Sequence, residues 1–324
     1  GHVQYTRNMV TGASTANLAC ILVDARQGVI EQTRRHAFIC SLLRVPHVIV
    51  CVNKMDLVEW SEARFEAIKA DFEDLSARFD VADVRFIPMS ALHGDNVVRR
   101  SGHMPWYAGG SLLHELESVH IASDRDLIDC RFPVQWVIRP QDDRYPDYRG
   151  YAGQVAAGVF KVGDEVTVLP SGLATRIARI EMPGPDGIEQ LERAQPPMSV
   201  VLHLEDDLDV ARGDMICRPR NRPEAGQDID AMVVWMHPEP LRPRKKYTLK
   251  HTTNAARCLV KELQYKVDID TLHRQPAEAL GLNEIGRIRL RATKPLLFDP
   301  YRHCRETGGF ILVDEATNLT VGAA

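Results

Sequence analysis

Asn53-Lys54-Met55-Asp56 sets an amide, an ammonium and a carboxylate side by side, directly after the apolar run Val48 to Val52. A run that short and that apolar reads as a strand buried on both faces. Open parallel sheets collect ligands at the carboxyl ends of their strands. At such a place a carboxylate such as Asp56 can accept two hydrogen bonds at once from adjacent donors on a flat ligand. Guanine offers that pair on one edge, its N1–H and its 2-amino group. Adenine lacks the pair and would leave the carboxylate unpaired, which is costly. Asn53 can bond the other edge of the base and brace the loop. The Lys54 stem can lie along the base plane while its ammonium stays in water. Asn and Asp are also common turn residues, so these four positions alone are compatible with a plain strand-to-helix turn. The strand before them and the amphipathic helix after them favour base recognition.

A second stretch agrees. Val84 to Met89 is another apolar run, and it ends in Ser90-Ala91-Leu92 followed by His93-Gly94-Asp95-Asn96. Ser90 would serve equally well as an ordinary helix cap. In guanine-nucleotide-binding domains, however, the strand after Asn-Lys-x-Asp ends in Ser-Ala-x, and there a backbone N–H meets the guanine 6-oxygen. Both stretches occur here in that order.

The elements that must hold these loops alternate. Leu18 to Asp24 reads as a strand and Ile30 to Leu43 as a helix. The strand ending at Asn53 comes next. Phe65, Ile68, Phe72, Leu75 and Phe79 then recur at helical spacing with charged residues between them. The strand ending at Ser90 and a helix over Ser111 to Val119 complete the pattern. Strand–helix alternation predicts a parallel sheet with helices on both faces. Near Asp124 helical periods vanish. Short alternating runs replace them: Phe132 to Ile138, Gln154 to Phe160, Glu165 to Leu169, Arg176 to Ile180 and Ser199 to Leu204. They predict a small closed barrel. Arg218 to Gln227 reads as a linker. Met232 to Met236, Lys246 to His251, Ala256 to Tyr265, Gly286 to Ala292 and Gly308 to Val313 then predict a second barrel. The fold class is thus α/β plus all-β, with domains at 1–123, 124–218 and 226–324.

Composition narrows the partners. With 44% hydrophobic and 26% charged residues the 324-residue chain has the make-up of a globular protein. A net charge of −4 gives no basic field for nucleic acid. No apolar run is long enough to span a membrane, so neither a nucleic-acid nor a membrane partner is expected. The seven cysteines lack CxxC spacing, and Cys20 and Cys51 sit inside apolar runs. They read as reduced, buried thiols of a cytoplasmic protein. His114-Glu-Leu-Glu-Ser-Val-His120 is similar to a zinc-binding His-Glu-x-x-His. Its second histidine comes too late to share a metal on one helix face, so no metal ligands are assigned.

Longer segments carry a family resemblance. Gly1-His-Val-Gln-Tyr-Thr-Arg-Asn-Met-Val-Thr-Gly-Ala-Ser-Thr15 resembles the continuation of Asp-Thr-Pro-Gly-His in translational GTPases. Gln32-Thr-Arg-Arg-His36 resembles their Gln-Thr-Arg-Glu-His. Met104-Pro-Trp-Tyr-Ala-Gly-Gly-Ser-Leu-Leu113 resembles a segment shared by eukaryotic-type elongation factors and the GTPase subunit of bacterial ATP sulfurylase. Ile21-Leu-Val-Asp-Ala-Arg-Gln-Gly-Val29, Phe132-Pro-Val-Gln-Trp-Val-Ile-Arg-Pro140 and Thr307-Gly-Gly-Phe-Ile-Leu-Val-Asp-Glu-Ala-Thr-Asn318 resemble the sulfurylase subunit in particular. The resemblance implies part of a P-loop GTPase domain and, after it, two β-barrels, arranged as in elongation factor Tu. It implies GTP and Mg²⁺ as ligands. The implied activity couples GTP hydrolysis to formation of adenosine 5′-phosphosulfate from ATP and sulfate on a small catalytic subunit. An adenylylsulfate kinase, fused or separate, is a further implied partner. The alternative within the same superfamily is an elongation factor that delivers aminoacyl-tRNA.

Residue by residue, the resemblance gives His2 the orienting of the attacking water and Gly1 an N–H facing the γ-phosphate. It gives Asn53, Lys54 and Asp56 the base, and Ser90, Ala91 and Leu92 the second base loop. The sequence contains no GxxxxGK[ST] loop. The expectation is therefore an N-terminally truncated chain that by itself neither binds GTP tightly nor hydrolyses it.

Overall fold

Three short strands pair in parallel: Leu18–Asp24 (β1), His47–Asn53 (β2) and Asp83–Pro88 (β3), in the order β1-β2-β3. The computed structural model describes residues 6–78, 83–121, 126–140, 147–185, 187–269 and 271–324. Within it β2 is the middle strand, with Val50 between Ile21 and Phe86. Val48 to Val52 are all buried, as a central parallel strand requires. Helices Thr6–Ala13 (α1), Glu31–Leu42 (α2), Glu62–Ser76 (α3) and Leu112–Ser118 (α4) accompany the sheet.

α3 shows how the pattern works. Ser61 caps it by accepting from the Arg64 N–H at 3.3 Å. Phe65, Ile68, Phe72 and Leu75 form its buried stripe. The Phe72 ring meets Phe86 of β3 edge-on at 5.8 Å, and Phe65 lies 5.4 Å from Trp106. Phe79, expected on the same stripe, lies outside the described residues.

One expectation fails at β1. Cys20, read as buried, is exposed, whereas Cys51 is buried as expected. Among the described residues β1 is an outer strand of this sheet. Its Ile21 and Val23 are buried, whereas Cys20 and Leu22 on the other face are exposed, Cys20 with its thiol against that of Cys51.

The chain divides into two compact units, residues 1–124 with 267–275, and residues 125–266 with 276–324. The second unit is antiparallel and contains two closed sheets. In the first, Ser199–Leu204, Gly150–Gln154, Arg131–Ile138, Met215–Cys217, Glu165–Leu169 and Leu173–Gly184 pair in turn, and the last pairs back to the first. Phe132, Tyr151, Phe160, Val168, Ile180 and Leu202 fill it. In the second, Lys246–His251, Ile311–Val313, Thr320–Ala323, Glu224–Trp235, Ile285–Phe298 and Asn254–Val267 close in the same way around Trp235, Leu249, Val260 and Leu290.

Several boundaries differ from the sequence reading. The run Gln154 to Phe160 is not one strand, because Gly158 turns the chain at φ +73°. A Cβ there would lie 2.5 Å from the Cys130 backbone, so only glycine passes. The segment taken as a linker is already strand from Glu224. Gly308 closes a helical turn, Arg305–Gly308, and the strand starts at Ile311.

The barrels share a buried ion pair. Arg131 of the first donates from Nε and Nη2 to the two carboxylate oxygens of Asp299, both at 2.8 Å. The Thr307 hydroxyl donates to the same carboxylate at 2.7 Å, and the Asn221 carbonyl accepts from Arg131 at 2.9 Å. Leu169, Met215, Cys217 and Leu297 pack together beside the pair.

Candidate functional site

The carboxyl ends of β1, β2 and β3 bring three loops together. Asn53 ends β2. Its side-chain oxygen accepts from its neighbour's N–H, Lys54, at 2.8 Å and from the Ala91 N–H at 2.9 Å. One amide thus ties the loop after β2 to the loop after β3, the bracing role expected of it, and its NH₂ group is left for a ligand. The Ala91 N–H is already engaged by Asn53. Two backbone bonds add to the tie: Met55 N–H to Met89 carbonyl at 3.2 Å, and Met89 N–H to Val52 carbonyl at 2.8 Å.

Lys54 adopts φ 65°, ψ 36°, the left-handed region. A non-glycine residue held there costs on the order of 1–3 kcal/mol and marks a place where the surroundings dictate the backbone. Residues Met55–Val58 then form a single 3₁₀ turn that carries Asp56. Asp56 Oδ1 is buried and has no hydrogen-bond partner. Its Oδ2 lies 3.8 Å from His93 Nε2, too far for a hydrogen bond. A buried carboxylate oxygen without a donor is costly. A ligand edge with adjacent N–H donors would satisfy it, so the residues present fit a guanine base.

Ser90 is buried, and its hydroxyl accepts from the His93 N–H at 3.4 Å. Ser90 N–H to Asp95 carbonyl and Gly94 N–H to Ser90 carbonyl close the turn. Leu92 is 84% exposed on its tip. Asp95 holds the next segment by accepting from the Ser101 hydroxyl at 2.6 Å, with His103 Nδ1 at 3.1 Å. The structure therefore brings Asn53, Lys54, Asp56, Ser90, Ala91 and Leu92 to one edge. Gly1 and His2 lie outside the described residues. Among the described residues no cluster of three or more His, Cys, Asp or Glu could hold a metal ion.

Two groups at this edge had no role in the sequence reading. His93 faces Asp56, and its place directly after Ser90-Ala91-Leu92 is the signal that points to it. Asp24 ends β1 opposite Asn53 and accepts from the Lys54 ammonium at 2.9 Å. The carboxyl-end rule applies to β1 as much as to β2, and would have found it.

Residues 1–131 match the family model for the elongation factor Tu GTP binding domain, and residues 228–324 the model for the GTP-eEF1A C-terminal domain-like family. All of the chain aligns, at 46% identity, with 67% of the sulfate adenylyltransferase subunit 1 of Pseudoalteromonas atlantica. The chain belongs to the sulfate adenylyltransferase subunit 1 family. Another relative, the bifunctional enzyme CysN/CysC of Mycobacterium tuberculosis (strain ATCC 25618 / H37Rv), is 54% identical over all of this chain, which covers 52% of its length. The chain thus spans about half the length of that relative. A crystal structure of Sup35 complexed with GMPPNP shares the fold of this subunit 1 family member, with a TM-score of 0.55 at 24% identity over 96% of this chain and 78% of that one. The α/β unit with β-barrels is accordingly the architecture of the translational GTPases.

Proposed function

We propose that this chain is part of the GTP-binding regulatory subunit of sulfate adenylyltransferase. In that reading GTP hydrolysis on this subunit drives formation of adenosine 5′-phosphosulfate from ATP and sulfate on a separate small catalytic subunit. The observation that carries the base-binding end is the buried, partnerless Oδ1 of Asp56, braced by Asn53 on a left-handed Lys54 backbone. Asp56 reads the N1–H and 2-amino edge, and Asn53 the opposite edge. Lys54 covers a ring face, and the loop Ser90, Ala91, Leu92 borders the 6-oxygen. We assign His2 the orienting of the attacking water, a positioning role in phosphoryl transfer, and Gly1 an N–H toward the γ-phosphate. Mg²⁺, as in other GTPases, would neutralise phosphate charge. The CysN/CysC name of one relative supports an adenylylsulfate kinase, fused or separate, as a further partner.

No helix among the described residues is long and apolar enough to cross a membrane, and we place the protein in the cytoplasm. For domain limits we propose 1–123, 124–218 and 226–324, the last drawn back to Glu224, where its first strand begins.

The test is Asp56→Asn in the intact protein, titrated with GTP and XTP. Xanthine replaces the 2-amino donor with an acceptor that an Asn amide can meet. The expected result is a shift of preference from GTP toward XTP. Full retention of the GTP preference would remove Asp56 as the base reader.

A further inference from the structure

Asp24 sits where β1 stops, and its carboxylate holds two cations. Lys54 Nζ donates to Oδ2 at 2.9 Å. Arg26 donates from Nη2 to Oδ2 at 2.7 Å, from Nε to Oδ1 at 3.0 Å, and from its backbone N–H to Oδ1 at 2.9 Å. The Asp24 side chain is 18% exposed, so water competes only in part for these bonds. The turn beneath is fixed from α3: Arg64 donates from Nε to the Ala25 carbonyl at 2.7 Å and from Nη2 to the Arg26 carbonyl at 3.2 Å. Gly28, at φ +76°, lets the chain pass within 3.1 Å of that guanidinium, measured from the Cβ a larger residue would carry.

The consequence falls on Lys54. Its backbone belongs to the end of β2, but its ammonium is anchored at the end of the neighbouring strand. Adjacent strands lie about 4.8 Å apart. The four-carbon stem must therefore run across the carboxyl edge of the sheet, between Asp24 and the base-reading Asp56. A free lysine side chain there would sample many rotamers and lose that freedom when a ring settled on it.

We propose that Asp24 is a positioning residue that pins Lys54 across the strand ends, so that the lysine stem is a preformed apolar shelf for one face of the purine ring. The inference rests on the base-site reading above and adds a residue outside the Asn-Lys-x-Asp sequence to it. Arg26 completes the device. With one carboxylate between two cations, the cluster keeps a net positive charge and does not repel the anionic nucleotide. The Arg26 bonds, assisted by Lys54, hold the Asp24 carboxyl well below the usual carboxylate range, so the pin stays charged at any physiological pH. The shelf contacts a ring face, which every purine has, whereas Asp56 reads an edge. Asp24 should therefore set affinity without setting base preference.

The experiment is equilibrium titration of the intact protein with a fluorescent guanine nucleotide, mant-GDP. The same titration is repeated with mant-XDP in the Asp56→Asn background. Asp24→Asn is expected to raise Kd about tenfold for both nucleotides by the same factor, the value of one side chain's lost freedom. Lys54→Met should raise Kd similarly, and Asp24→Asn added to it should do nothing more. Asp24→Glu should restore part of the affinity. A merely structural role would act additively with Lys54→Met, whereas the pinning role acts only through the lysine. An unchanged Kd in Asp24→Asn, or an equal effect with and without the lysine, overturns the proposal. If Asp56→Asn keeps its guanine preference, the edge-reading role fails on its own. The Asp24–Lys54 coupling is then still decided by the mant-GDP titrations.

Discussion

Among the described residues the parallel sheet of β1 to β3 ends in an outer strand, while each barrel's sheet returns on itself. Single residues register the difference. Leu22 on β1 is 63% exposed, whereas Leu202, also on a strand, is fully buried inside the first barrel. Polar groups divide in the same sense. At the open sheet's carboxyl edge Asp56 keeps a buried oxygen without a partner, and Lys54 holds a left-handed backbone. Between the barrels Arg131 and Asp299 are just as buried, but each commits its hydrogen-bonding groups to the other and to Asn221 and Thr307. Unmet hydrogen-bonding capacity at an open edge is suited to a ligand. Fully met capacity inside a closed unit is suited to rigidity.

The strongest way to break that contrast is to leave the barrel pair half-made. Arg131→Met strands a buried carboxylate and should destabilise the two-barrel unit by about 3–5 kcal/mol. Hydrogen exchange should rise in strands of both barrels together and stay unchanged in β2. Adding Asp299→Leu should recover most of the loss, since a pair replaced by apolar groups is nearly neutral. No recovery in the double variant would mean the site matters for more than its charges.

Acid probes the same pair more gently. Burial alone would raise the Asp299 pKa, but the bonds from Arg131 and Thr307 outweigh it and hold it below the ordinary value. A carboxyl lowered in the folded state stabilises fully above the unfolded pKa of about 3.9, and that stability is lost as pH falls from there through the folded value. The barrels should therefore hold to about pH 4 and weaken below it. In Arg131→Met the main bonds that oppose burial are gone, so the Asp299 pKa should rise, and the acid loss from this group should shrink or reverse, part of the lost stability returning as the pH falls. Urea midpoints measured against pH for both proteins check this.

On the α/β side the expected effects are smaller. Ser61→Ala removes the cap of α3 and should cost about 1 kcal/mol. Because Arg64 of the same first turn holds the Ala25 and Arg26 carbonyls, exchange should also quicken across residues 24–28. A loss confined to α3 would disconnect the helix from the turn that carries Asp24. Smallest of all, Leu22→Ser in this chain should change stability by less than about 0.5 kcal/mol, as for an exposed position. A larger loss would show that the exposed face of β1 is covered in solution.

The local calculus of residues was enough for much of this. Val48 to Val52 announce a buried parallel strand, the spacing Phe65, Ile68, Phe72, Leu75 announces a helix with one apolar face, and Asn53, Lys54 and Asp56 announce what their edge can bind. Those are properties of neighbours in the chain, and the structure keeps the strand and the helix. Other features depend on partners far away in sequence. Cys20 looks as apolar in its surroundings as Cys51, yet one is on an outer strand and the other in the middle of the sheet. Gly158 breaks an apparent strand because Cys130 lies against it. Arg131 borders the apolar run Phe132 to Ile138, and nothing near it in the chain reveals Asp299. Its own loop leaves the Lys54 ammonium to water, while Asp24 at the end of another strand takes it. Sequence by itself determined which segments are strands and helices and what chemistry Asn53 and Asp56 carry, since side-chain periodicity and functional groups are local. Tertiary structure decided which strand is outermost, which charges meet and where the Lys54 stem lies, because pairing across strand ends depends on residues that only the fold brings together.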